Sequence, residues 1–181
     1  MDKVTSSFEG LFTYSNKSYH DERGNLTETF NKKVLEWLPK NTSFCHEITS
    51  FSKKNSLRGL HYQINNYPQG KLITCLSGKI FDVALDLRLG SDTYGKYFSV
   101  ILYGASKDTI WIPRGFAHGY QCLEDSLIIY RCDNPYSAED ERCIAWNDEK
   151  ISIEWPCPEI GMISEKDKCG LNFDESDKFG E

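Results

Sequence analysis

Four histidines, His20, His46, His61 and His118, are the only imidazoles in the chain, so proton transfer near neutral pH or a nitrogen-ligated metal has to draw on these and on the acids. His61 lies in the run LRGLHYQ. Strand alternation groups it with Leu57, Gly59 and Gln63, which points the ring inward beside a residue without a side chain. Such a ring suits a base, and it equally suits a hydrogen-bonded core histidine. His118, in IPRGFAHGY, follows a Pro-Arg-Gly turn and precedes Gly119, so the backbone there can approach another group closely. It reads as a turn-stabilising ring or as a site residue. A metal would need a second ligand at the spacing of a His-x-His pair, but position 63 is Gln, which breaks the pair and argues against a metal centre.

Arg23 in DERG, Arg58 beside Gly59 and Lys71 after Gly70 stand at turns or strand ends. Each can hold an anion: an Arg fork matches phosphate, whereas a Lys point charge suits a carbonyl oxygen that turns negative. Alone, each is equally a solvated surface charge. Strict alternation puts Arg58 and His61 on opposite faces, so they share a pocket only if Gly59 marks a bulge or Arg58 reaches a neighbouring subunit. Tyr130 in SLIIYRC shares a face with Ile128 and Cys132 and, if buried, needs a partner for its hydroxyl. Asp167 in SEKD is either the acid of a capping box or a carboxylate that orients a histidine.

Short alternating runs supply the elements that would position these groups. LRGLHYQ, KLITCL, KIFDVALDLR, YFSVILY, TIWIP and SLIIYRC are separated by NNYPQG, SG, LGSDTYG and PRG, the spacing of an all-β sandwich or barrel. In KIFDVALDLR, Phe81, Val83, Leu85 and Leu87 form an apolar face opposite Asp82, Ala84, Asp86 and Arg88, so the second face meets solvent or a polar cavity. Helical spacing is clear only at residues 31–38, where Asn31 can cap a turn carrying Val34, Leu35 and Leu38; a second short turn is expected from Ser164.

With 181 residues the chain suits one domain, residues 1–181 with a core over about 8–168, and GLNFDESDKFGE at 170–181 reads as a weakly held tail. A net charge of −6 lacks the basic field that nucleic-acid binding needs. Seven cysteines, none in a CxxC pair, suggest reduced thiols and a cytoplasmic protein, and neither a targeting segment nor a membrane span is apparent.

Taken in order and spacing, DERGNLTETF, NSLRGLHYQ, QGKLITCLSGKIFDVALDLRLGSDTYGK, IWIPRGFAHGY, IAWNDEKISIEWP and SEKD resemble the dTDP-4-dehydrorhamnose 3,5-epimerase family. The resemblance implies a cupin-type jelly roll (a double-stranded β-helix) with a few short helices. It implies a homodimer that exchanges N-terminal strands, a nucleotide-diphosphate sugar as substrate, and neither metal nor organic cofactor. Carried over by position, it implies His61 as general base with Asp167 as its paired carboxylate, Tyr130 as acid on the opposite face of the sugar, and Lys71 near the C4 oxygen. It further implies Arg23 and Arg58 at the diphosphate, and Glu28 and His118 in the pocket.

The chain departs from the family's pattern in FCHEITS, where His46 and Ile48 replace a common Gln and Asn, and after Tyr130, where Pro135 and Tyr136 replace two tyrosines. These positions resemble ones that contact sugar or nucleotide, which makes His46 a substrate-binding candidate. The altered pocket points first to a GDP-linked 4-keto-6-deoxyheptose of capsule synthesis, with the dTDP-linked 4-keto-6-deoxyglucose of rhamnose synthesis as the alternative. A 3,4-ketoisomerase and a non-catalytic sugar-nucleotide-binding jelly roll are the other readings; the joint presence of His61, Tyr130 and Lys71 favours an epimerase.

Overall fold

The structure is a computed structural model that describes residues 1–159 and 161–180. Its strands are β1 (Asp2–Thr5), β2 (Phe12–Ser15), β3 (Ser18–Asp21), β4 (Gly24–Thr27), β5 (His46–Ser52), β6 (Leu57–Gln63) and β7 (Lys71–Ser77). They continue as β8 (Lys79–Asp86), β9 (Tyr97–Tyr103), β10 (Thr109–Ile112), β11 (Phe116–Cys122), β12 (Ser126–Cys132) and β13 (Glu141–Cys143). Two short helices, α1 (Lys32–Trp37) and α2 (Glu165–Lys168), accompany them. The strands form one sheet in the order β1-β2-β10-β7-β12-β5 and a second in the order β13-β6-β11-β8-β9, with β3-β4 a separate hairpin. This is the expected all-β jelly roll, and among the described residues no helix is long and apolar enough to cross a membrane.

Period-two alternation sorts the side chains into three apolar layers. Ile73, Ile80, Ala84, Ile110, Ile112, Phe116 and Ile128, drawn from both sheets, fill the space between them. The opposite side of the six-stranded sheet, through Phe12, Tyr14, Leu72 and Trp111, is covered by Val34 and Leu38, because Asn31 caps α1 by accepting a hydrogen bond from the Val34 N–H at 3.3 Å and so sets the stripe against the sheet. Val83 and Leu85 of β8, with Leu87 just past its end, do not face the sheet partner; they pack outward under Ile144, Ile151 and Phe173. Both faces of β8 are therefore buried, and Asp82 points between the sheets.

The C-terminal residues depart from the expectation of a weakly held tail. Phe173 is 2% exposed, Phe179 pairs its backbone with Leu87 and Leu89, and the Tyr62 hydroxyl donates to the Asp177 carbonyl at 2.8 Å. The polar composition of this segment concealed two aromatic anchors, the buried Phe173 and the half-buried Phe179, whose packing offsets part of the cost of ordering the residues around them.

The register of β6 against β11 breaks between His61 and Arg58: His61 lies opposite His118, but Arg58 lies opposite Tyr120. Three steps along β6 thus match two along β11, and the extra residue turns Arg58 to the same side as His61. Glycines make this crossing possible. A Cβ on Gly59 would sit 2.5 Å from the Gly119 Cα and 2.6 Å from the His118 carbonyl oxygen, and Gly59 has φ +116°, a region closed to other residues. Gly59→Ala is therefore expected to lower unfolding free energy by at least about 2 kcal/mol. Denaturant titration checks this; a loss within about 0.5 kcal/mol, the range of neutral surface changes, would show that the backbones separate easily.

Candidate active site

Between the open ends of the two sheets lies a cavity of about 490 Å³. The five-stranded sheet contributes Arg58, His61 and Gln63 from β6, His118 and Tyr120 from β11 and Glu141 from β13; the six-stranded sheet contributes Lys71, Tyr130 and Cys132. Ile48 and Ser50 of edge strand β5, with Tyr136, complete the rim. His61 and Tyr130 accordingly line one cavity from opposing walls.

His61 Nε2 lies 2.7 Å from Asp167 Oδ1, and the other carboxylate oxygen accepts the Gly59 N–H at 3.2 Å. The Ser164 hydroxyl caps α2 by accepting the Asp167 N–H at 3.1 Å, so Asp167 is the helix residue that the cap positions while its carboxylate faces the imidazole. The side chain of Asp167 is only 4% exposed. Burial pushes its carboxyl up, but the hydrogen bond and charge of His61, the Gly59 N–H and Ser164 outweigh this and hold it below the usual carboxylate range. The imidazole is thereby oriented, with a carboxylate ready to stabilise its charged form.

Lys71 donates to the His61 carbonyl oxygen at 3.1 Å, which brings its ammonium beside the base; burial lowers its pKa against the pull of Cys132, Glu141 and Asp82. His118 is buried on Asp82, Nε2 to Oδ2 at 2.9 Å. Burial lowers the His118 pKa, opposed by the Asp82 charge, so this ring lends itself to a fixed hydrogen-bonding role. Across the cavity the Tyr130 hydroxyl donates to the Tyr120 hydroxyl at 2.8 Å. Burial, reinforced by Tyr120, raises the Tyr130 pKa well above that of an ordinary phenol, which keeps it protonated and able to donate.

Of the residues expected at the site, His61, Asp167, Lys71, Tyr130, Arg58 and His118 come together. Arg58 belongs there through the register break, and its Nε donates to the Ser52 hydroxyl at 2.9 Å. Arg23, Glu28 and His46 do not line this cavity. Arg23 sits at the tip of β3-β4, 89% exposed, paired with its neighbour Asp21. Glu28 accepts from the Asn31 amide at 2.6 Å beside α1. His46 lies on the strand face of Ile48 and Ser50 but one pleat beyond them, and its Nδ1 is buried without a partner among the described residues. Asp82 and Tyr120 are additions. The signal for each was present: Asp82 is an acid on a strand face whose other members are buried, and Tyr120 is two residues from His118 on the same face.

His61, Asp167 and Cys143 also hold ligand-capable atoms within 4.8 Å of one another. Burial and the Asp167 charge push the Cys143 thiol up to about 12, and His61 and Asp167 are bonded to each other at 2.7 Å.

Known proteins are similar to this chain in sequence and fold. The profile of the dTDP-4-dehydrorhamnose 3,5-epimerase family matches residues 5–175. A dTDP-4-dehydrorhamnose 3,5-epimerase of Shigella flexneri is 41% identical over 181 residues, covering 99% of each chain, and one of Methanothermobacter thermautotrophicus is 40% identical over 91% of this chain and 90% of its own. Among solved structures, the dTDP-6-deoxy-D-glucose-3,5-epimerase of Legionella pneumophila, in complex with dTDP-4-keto-L-rhamnose, superposes with a TM-score of 0.91 at 39% identity, covering 97% of this chain and 94% of its own. Fold and sequence agree, and the chain belongs to the dTDP-4-dehydrorhamnose 3,5-epimerase family of carbohydrate isomerases.

Proposed function

We propose that the chain epimerises a dTDP-linked 4-keto-6-deoxyglucose at C3 and C5, and that His61 is the base and Tyr130 the acid. The observation that carries this reading is the opposition of the two groups: inversion needs a proton removed from one face of the ring and returned to the other. A C–H bond beside a ketone is a weak acid, and an imidazole of reference pKa about 6.5 removes its proton only if the developing enolate oxygen is stabilised. Lys71, beside His61, supplies that positive charge or hydrogen bond. Asp167 stabilises the imidazolium, and Tyr130, kept protonated by its surroundings, delivers the proton from the far wall. The same steps run at each carbon flanking the ketone.

The relatives' dTDP sugars favour this substrate over the GDP-linked heptose, although Ile48 and Tyr136 do shape the rim. Arg58, which lines the cavity, is assigned to the diphosphate. Arg23 does not line the cavity of its own chain, so we propose a dimer in which the β3-β4 hairpin of one chain reaches the cavity of the other. Its exposed Tyr19 and Leu26 give it apolar surface to bury there.

Incubation with the dTDP-linked 4-keto sugar in D₂O tests the chemistry. Wild type is expected to incorporate deuterium at both carbons beside the ketone and to invert them, and His61→Ala to lose incorporation by at least about 100-fold, the scale of general base catalysis. Tyr130→Phe should exchange but not invert. Equal exchange by wild type and His61→Ala removes the proposed base, and turnover of a GDP-linked 4-keto heptose in preference to the dTDP hexose reverses the substrate assignment.

Subunit mixing tests the dimer. Arg23→Ala and His61→Ala chains, each nearly inactive alone, should on re-equilibration recover about a quarter of wild-type activity, because a mixed dimer holds one complete site. Absence of recovery, with mixed dimers present, would place Arg23 in service of its own chain.

A further inference from the structure

A phenol that gives its proton to carbon must be reprotonated before the next inversion, and Tyr130, half-buried on the cavity wall, faces the space that the sugar itself would fill. Its hydroxyl has a polar partner in Tyr120, at 2.8 Å. The Tyr120 ring is 1% exposed, so its hydroxyl has to be satisfied internally. It meets Ser50 Oγ at 3.2 Å and Ser52 Oγ at 3.4 Å. Ser52 is buried and accepts from Arg58, while Ser50 is half-buried on the edge strand at the cavity. Hydroxyls, each both donor and acceptor, therefore run in a line from Tyr130 to the cavity rim.

Building on the assignment of Tyr130 as the acid, we infer that Tyr120 is a positioning residue that holds the Tyr130 phenol and returns its proton through Ser50 from water. When a C–H bond forms at the sugar carbon, the Tyr130 O–H bond breaks. The phenolate takes the Tyr120 proton, Tyr120 takes that of Ser50, and Ser50 takes one from water at the rim. On the other wall the proton held by His61 passes to water, so one proton enters and one leaves, with no change in oxidation state. Phenylalanine at position 120 would fill the same space, leave Tyr130 without its partner and break the line at its first step.

The test is the ratio of inversion to deuterium exchange, measured in D₂O with the dTDP-linked 4-keto sugar for the full-length enzyme. Tyr120→Phe is expected to lower that ratio about tenfold, a fraction of a general-acid effect, while exchange through His61 changes less than twofold. Ser50→Ala, which leaves the Tyr120 ring in place, should lower the ratio in the same direction, and Tyr120→Phe added to Tyr130→Phe should cost nothing further. An unchanged ratio in Tyr120→Phe, alongside a collapsed ratio in Tyr130→Phe, overturns the inference and leaves the acid assignment standing. Inversion that survives in Tyr130→Phe overturns both. A proportional fall in exchange and inversion in both Tyr120→Phe and Ser50→Ala would reduce Tyr120 to packing and also overturn it.

Discussion

The close crossing of two glycines, Gly59 on β6 and Gly119 on β11, is the constraint from which the site follows. Because neither carries a Cβ, the backbones approach within a distance that no other pair of residues allows, and β6 takes up one more residue than its neighbour. One consequence is electrostatic: Arg58 and His61, which regular pleating would divide between the two faces, enter the same cavity. Another is geometric: the Gly59 N–H is directed at the Asp167 carboxylate, so the group that orients the imidazole is tied to the strand that carries it. The capped turn of α2 supplies the other half of that tie.

The two walls differ in electrostatic character. The His61 wall holds ionisable groups in pairs, His61 with Asp167 and His118 with Asp82, and Lys71 projects toward it from the facing sheet. Around Tyr130 the partners are neutral hydroxyls, Tyr120 from the facing sheet and Ser50 and Ser52 from β5. Charge is thus concentrated where an enolate and an imidazolium would develop, and a neutral donor is kept where a proton has to be delivered to carbon. A rigid jelly roll suits this division, since each wall belongs to a different sheet and the distance between them is set by the packed layer of Ile73, Ile80, Ile110 and Ile128 below the cavity.

Much of this was legible in the residues. Turn-punctuated alternation in KLITCL, KIFDVALDLR and SLIIYRC marked the strands, and Asn31 and Ser164 marked both helix starts, because these signals act within a few residues. The motifs around His61, Lys71, His118, Tyr130 and Asp167 pointed to one family. What alternation alone obscured was non-local. The extra residue at Gly59 inverts the face of Arg58, and two spaced aromatics dock a C-terminal segment whose composition suggested otherwise. The Tyr120 hydroxyl gains its meaning only from Tyr130, on a strand of the other sheet. Arg23 and Glu28 fit the family's pattern by position and His46 departs from it, yet within one chain all three stand outside the cavity.

A crystal structure of this protein with the dTDP-linked 4-keto sugar bound examines the opposition of base and acid most directly. The account predicts a sugar ring lying between the walls, with the His61 imidazole and the Tyr130 hydroxyl each roughly 3–3.5 Å from opposite faces of the carbon beside the ketone, and the diphosphate toward Arg58. A ring with both groups on the same face, or one bound beyond the reach of either, would contradict it.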